Sequence, residues 1–158
     1  MKSKRNPIIR FALSMALCLN LGLWGLVAHS GLAYGIDFSQ TLAEAQQGEK
    51  NSAYLLGVMY HTGSGVNQDC HQALKWTNEA ALQGHILAQS HLGTLYRNGC
   101  EDKVNKDALQ AYFWTALAAK KGLQIAKQNL LLLEEQLHPY LLAEMNQKVD
   151  QFKPKQIN

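Results

Sequence analysis

The sequence predicts an all-α solenoid of antiparallel helix pairs, two full repeats with a capping helix at each end, and three observations predict it. First, Leu55-Leu56-Gly57-Val58-Met59-Tyr60-His61-Thr62-Gly63 returns as His91-Leu92-Gly93-Thr94-Leu95-Tyr96-Arg97-Asn98-Gly99, displaced by 36 residues. Second, Val66, Asp69, Ala73, Trp76, Ala80 and Gly84 return as Val104, Asp107, Ala111, Trp114, Ala118 and Gly122, displaced by 38, so the second copy has gained two residues in its middle loop. Third, 158 residues with 47% hydrophobic content and only 3 Pro suit one folded, mostly helical domain.

Residues 1–35 have the form of a secretory signal. Lys2, Lys4, Arg5 and Arg10 precede the apolar run Phe11 to Val27, and small residues follow from Ala28 to Gly35. Cleavage is expected before Gly31 or Ile36, with Ile36 preferred; the competing expectation is an uncleaved membrane anchor, for which the run is short. Leu17 ahead of Cys18 is too bulky for lipoprotein processing. Either outcome puts the rest of the chain outside the cytoplasm, periplasmic or secreted when cleaved and tethered to the inner membrane when not. The formal charge of +3 largely belongs to this segment, since from Ile36 onward 11 basic residues face 12 acidic ones. No basic stripe is left, and nucleic acid is excluded as a partner.

An N-terminal capping helix is expected within 36–51. Phe38, Leu42 and Ala45 recur at helical spacing, Asp37 is the expected N-cap with Gln40 completing a capping box, and Gly48 ends the element. Repeat one spans 52–87. Its first helix, Ser52 to His61, places Ala53, Leu56, Gly57 and Tyr60 on one buried stripe. A mid-helix Gly costs about 1 kcal/mol relative to Ala, so the registered pair Gly57 and Gly93 implies a neighbouring helix too close for a side chain. Gly63 and Gly65 belong to a turn. Asp69 then caps a second helix, Cys70 to Gln83, which turns Ala73, Trp76, Ala80 and Ala81 inward and stops at Gly84.

Repeat two, 88–125, repeats this plan with Leu92, Gly93 and Tyr96 on its first helix, a longer loop from Gly99 to Lys106, and Trp114 on a helix capped by Asp107 and closed by Gly122. Residues 126–152 form a partial third repeat and a C-terminal cap. Ala126 and Leu130 keep the register, but Leu131 replaces the glycine of Gly57 and Gly93, so the close approach is lost there. Pro139 suits the first position of a last helix with Leu141, Leu142, Met145, Val149 and Phe152 on its apolar face. Residues 153–158 are expected to fray.

Each helix pair cannot bury its apolar face alone, so stacked pairs make one core and leave a groove lined by first helices. With Leu56, Tyr60, Leu92 and Tyr96 buried, the opposite flank faces that groove: Tyr54, Val58 and His61 in repeat one, Ser90, Thr94 and Arg97 in repeat two, and Gln128 beyond. Arg97 and Tyr54 lead this set because Arg and Tyr are enriched at binding hot spots. An array this short lies near the lower limit for standing alone, and self-association is one remedy.

Cys70 and Cys100 are the cysteines left after the N-terminal segment. In an oxidising compartment they invite a disulfide worth roughly 3.5 kcal/mol on loop entropy; two separate thiols are the alternative. Together with His71, His85 and His91 they match no zinc spacing, and no metal or cofactor is expected. Nor is an enzyme. The chain has no His-Glu-x-x-His, no phosphate-binding glycine loop and no Gly-x-Ser-x-Gly, and its carboxylates are scattered.

The run Ala88, Gln89, Leu92, Gly93, Tyr96 and Gly99 resembles the Sel-one-like repeat, a relative of the tetratricopeptide repeat. So does the run Gly63, Gly65, Val66, Asp69, Ala73, Trp76, Ala80, Ala81 and Gly84. The resemblance covers about Ala43 to Glu135, and repeat two departs from it only in its loop. It implies a right-handed superhelix, and a family that holds other proteins or peptides, with ligand grooves on the first-helix surface. The function expected is therefore a non-catalytic scaffold of the bacterial cell envelope that binds a protein or peptide partner. A small periplasmic enzyme acting on cell-wall material and a structural oligomeric subunit are the alternatives.

Overall fold

A computed structural model describes residues 37–100 and 105–157. The segment expected to be a signal, its expected cleavage sites, Cys18 and Val104 in the second loop lie outside the described residues. Those described hold seven helices and no β-strand: α1 (Phe38–Gln46), α2 (Lys50–Thr62), α3 (Cys70–Leu82), α4 (Ile86–Asn98), α5 (Ala108–Lys120), α6 (Gln124–Glu134) and α7 (Pro139–Gln151). Helix α2 packs on α3, α4 on α5, and α3 on α4, so the chain is an all-α solenoid of stacked pairs.

Local chemistry sets the helix ends. Asp69 accepts from the backbone N–H groups of His71 (2.9 Å) and Gln72 (3.1 Å), and Asp107 does the same for Leu109 (3.0 Å) and Gln110 (2.9 Å). Both first helices start two residues before their expected positions. The Glu49 carboxylate caps α2 through Ser52 N, and the His85 imidazole caps α4 through Ala88 N, neither being a favoured N-cap type. Asp37 caps α1 as expected, but the capping box does not form, because Gln40 bonds Glu44 instead. Glu44 also accepts a 2.6 Å bond from Ser52 Oγ, which ties α1 to α2.

Gly57 and Gly93 are where second helices come closest. A Cβ on Gly57 would overlap Thr77 Oγ1 and lie 2.9 Å from Thr77 N; one on Gly93 would overlap Thr115 Oγ1 and lie 3.2 Å from both Thr115 N and Ala111 O. Thr77 and Thr115 are themselves 38 apart, so the contact is part of the repeat. The loops close alike despite their different lengths: Asp69 N donates to Tyr60 O and Asp107 N to Tyr96 O, each at 2.9 Å. Leu56 and Leu92 are fully buried beneath, while Tyr60 and Tyr96, expected inside, are only half-buried at the core's edge.

Cys70 and Cys100 form a disulfide, with Cα atoms 5.9 Å apart across 30 residues of chain. Both are buried, and the bond ties the start of α3 to the end of the α4 turn.

The last two helices depart from the pairing. Without the glycine, α6 and α7 both lean on α5 rather than on one another. Met145 and Val149 are buried as expected, and Tyr112, fully buried, donates from its hydroxyl to Asn146 at 2.9 Å to fasten α7. The frayed tail is a misreading. Phe152 packs edge-on against Phe113 and Trp114, Pro154 lies over Gly84, Lys155 N donates to Leu82 O at 2.8 Å, and Ile157 sits over Gly48. The tail's partners are turns some 70 to 110 positions earlier in the chain, a pairing that no local pattern encodes.

Two stability outcomes follow from this packing. Helix propensity alone makes Gly57→Ala stabilising by about 1 kcal/mol; the overlap with Thr77 reverses the sign, and urea denaturation should show a loss of about 1–3 kcal/mol. Reducing the Cys70 to Cys100 bond should lower the unfolding free energy by roughly 3.5 kcal/mol, read as a shift of the urea midpoint with and without reductant.

Candidate functional site

A hollow of about 380 Å³ opens between α2, α4 and the start of α6, lined by Tyr54, Val58, His61, Thr62, Leu87, Ser90, His91, Leu123 and Ile125. Four residues expected in the groove meet here: Tyr54, Val58, His61 and Ser90. Helical spacing explains them, since 54, 58 and 61 follow the three-and-four rhythm of one α2 face. The other three lie outside it. Thr94 donates to Ser90 O of its own helix, Arg97 donates to Asn98 and to Asn129 (3.2 Å), and Gln128 is exposed farther along α6.

Histidines form one wall. His91 Nε2 lies 3.0 Å from His61 Nδ1, and Tyr54 stacks on His85 with ring centroids 4.7 Å apart. His91 Nδ1 is buried without a partner. An orphaned donor is costlier than an orphaned acceptor, so the neutral tautomer with its proton on Nε2, donating to His61, is favoured. Burial first, and the neighbouring His61 second, push the His91 pKa down to about 4. His85 is also pushed down, by burial and then by Lys50, and burial raises the Tyr54 hydroxyl. At neutral pH His91 is therefore uncharged. Among the described residues, no Asp, Glu, Lys or Arg lines the hollow.

His91, Leu87, Leu123 and Ile125 were not among the expected groove residues. His91 in particular reads from sequence as a surface histidine. A signal for it exists in the repeat register: His61 and Arg97 are equivalent positions 36 apart, and His91 and Asn129 are equivalent positions 38 apart. The bond from His61 to His91 thus returns as the bond from Arg97 to Asn129, each crossing from one first helix to the next. Leu87 and Ile125 stand in the first turns of α4 and α6 and Leu123 is the N-cap of α6, ahead of the positions from which the groove row is read. No group of three or more His, Cys, Asp or Glu positioned to hold a metal ion occurs among the described residues.

The Sel1 repeat family profile matches residues 50–85 and 86–123. None of the curated proteins matches the chain. Among solved structures, a Sel1 repeat protein from Oxalobacter formigenes is 34% identical over 59% of this chain and 68% of its own, with a TM-score of 0.56. The antigen c5321, described as a protective antigen present in uropathogenic Escherichia coli strains displaying an SLR fold, is 29% identical over 73% of this chain, with a TM-score of 0.68. This chain spans only about a quarter of that antigen's length, 24%. Registered helix pairs, glycine contacts between them and similarity to the Oxalobacter protein over two thirds of its length agree, and the chain belongs to the Sel1 repeat family.

Proposed function

We propose that this chain is a non-catalytic interaction module that works outside the cytoplasm, in the cell envelope, and holds a peptide or protein segment in the hollow between α2, α4 and α6. Sel1 repeat proteins generally mediate protein–protein interaction. The observation that carries the finer reading is the chemistry of the hollow: Val58, Leu87, Leu123 and Ile125 supply apolar contact, while Tyr54, His61, Ser90 and His91 supply hydrogen-bonding groups. Such a site selects a segment with an apolar anchor and no charge at its centre, since a buried unpaired charge would be costly there. The basic and apolar N-terminal segment supports the location, and the disulfide suits an oxidising compartment.

Panning the purified protein against a displayed peptide library tests the reading. Peptides with an apolar or aromatic anchor should be enriched, and Val58→Glu with Leu87→Glu should weaken their binding at least about 30-fold, roughly 2 kcal/mol. Gln72→Glu on α3, away from the hollow, should leave it unchanged. Equal binding by both variants would move the site elsewhere, and turnover of cell-wall fragments by the purified protein would favour an enzyme.

The buried His91 also has a pH signature. The folded His91 value of about 4 lies below its ordinary 6.5, so on acidification the unfolded chain takes up the proton first. The contribution is complete above about pH 6.5 and declines as pH falls toward about 4, by up to about 3 kcal/mol. Replacing His91 by Asn, the residue at the equivalent position 129, should flatten this part of the stability profile. Parallel wild-type and His91→Asn profiles between those pH values would contradict the assignment.

A further inference from the structure

The two ends of the helical array are chemically unlike. On α1 and its C-cap the exposed residues are Ser39, Gln40, Ala43, Gln46 and Gln47, a polar surface of the kind that closes a repeat array to water. At the other end α6 exposes Leu131 (63%) and Leu132 (51%), and α7 begins with Tyr140 (71%). These are not residues of the groove hollow. They are uncovered because α7 packs on α5 rather than on α6, so the last repeat does not close over its own first helix.

From this asymmetry we propose that the exposed face of α6 is the interface of a twofold dimer, and that its occupant is α6 of a second copy of this chain, lying antiparallel. Leucines at one end only argue against head-to-tail stacking, which would press Leu131 and Leu132 onto the polar surface of α1; a twofold contact buries them against each other. The charges on the helix fit the same operator. Lys127 and Glu135 are both exposed, and each stands four residues from Leu131, on its stripe. With the twofold axis at Leu131, Lys127 of each copy faces Glu135 of the other. A parallel arrangement would set lysine against lysine and glutamate against glutamate. Neither residue has an ion-pair partner among the described residues. The remaining carboxylate of the helix, Glu134, lies beside the Tyr112 hydroxyl and is half-buried, so it does not compete for Lys127.

The test is sedimentation velocity on the full chain, as the producing cell processes it, over a dilution series up to about 100 µM. A monomer–dimer equilibrium is expected, without higher polymers. Leu131→Lys with Leu132→Lys should weaken the dimer at least about 100-fold, and both positions are exposed enough that thermal unfolding should stay close to wild type. The charge pair is decided by exchange: Lys127→Glu alone should weaken association about tenfold, and Lys127→Glu with Glu135→Lys should restore it. A monomer at the highest concentration would overturn the proposal. So would open-ended polymers, or a dimer that the leucine and charge variants both leave unchanged.

Discussion

The distance between first and second helices of each repeat is the constraint on which the rest of this structure depends. At Gly57 and Gly93 backbone meets the Thr77 and Thr115 positions with no room for a methyl group, and the pairs lock at that separation. Because the lock sits on the helices, the loops are free to differ. Two additional residues in the second loop leave the bond from Asp107 N to Tyr96 O where its counterpart stands in repeat one. The disulfide then joins that longer loop to α3 of the preceding repeat, so the loop is held at its near end by chain chemistry rather than by packing. Where leucine takes the glycine position, the lock fails and the geometry changes at once: α6 and α7 spread over α5, and apolar side chains are left facing water.

The same stacking decides what the groove can be. A row of polar residues along first helices reads as a free surface, yet its last member in each repeat is spent on the next repeat, His61 on His91 and Arg97 on Asn129. Arg97 therefore serves as an inter-repeat link, with its guanidinium held by Asn98 and Asn129. What remains open is the part of the row nearest the N-terminal ends of α4 and α6, where Tyr54, Val58 and Ser90 meet Leu87, Leu123 and Ile125 from the starts of those helices. That placement makes the hollow largely apolar, because Leu87, Leu123 and Ile125 at the helix starts contribute bulk without formal charge.

The chain matches only 24% of the length of the longer antigen whose fold it shares. Beside the repeats, α1 carries polar side chains and is tied on by the bond from Ser52 to Glu44 and by Phe38 against Tyr60. The C-terminal strap, from Phe152 to Ile157, reaches back over the turns at Gly84 and Gly48 and joins the last helix to the first repeats. Such a strap makes the array more cooperative than nearest-neighbour stacking would, since contacts that skip a repeat couple units that otherwise touch only through their neighbours.

The sequence by itself determined the helices, their pairing, the caps at Asp69 and Asp107, the close contacts at Gly57 and Gly93 and four of the nine residues that line the hollow. All of these follow from patterns within one repeat or from comparison of one repeat with the next, where short-range sterics and hydrogen bonding dominate. Only the tertiary structure decided that His61 bonds His91, that Arg97 spans to α6, that α6 and α7 part company, and that the tail is a strap. Each of these joins residues from about 30 to more than 100 positions apart. Such contacts depend on the angle and spacing at which whole helices pack, and side-chain periodicity along a single chain carries no record of either.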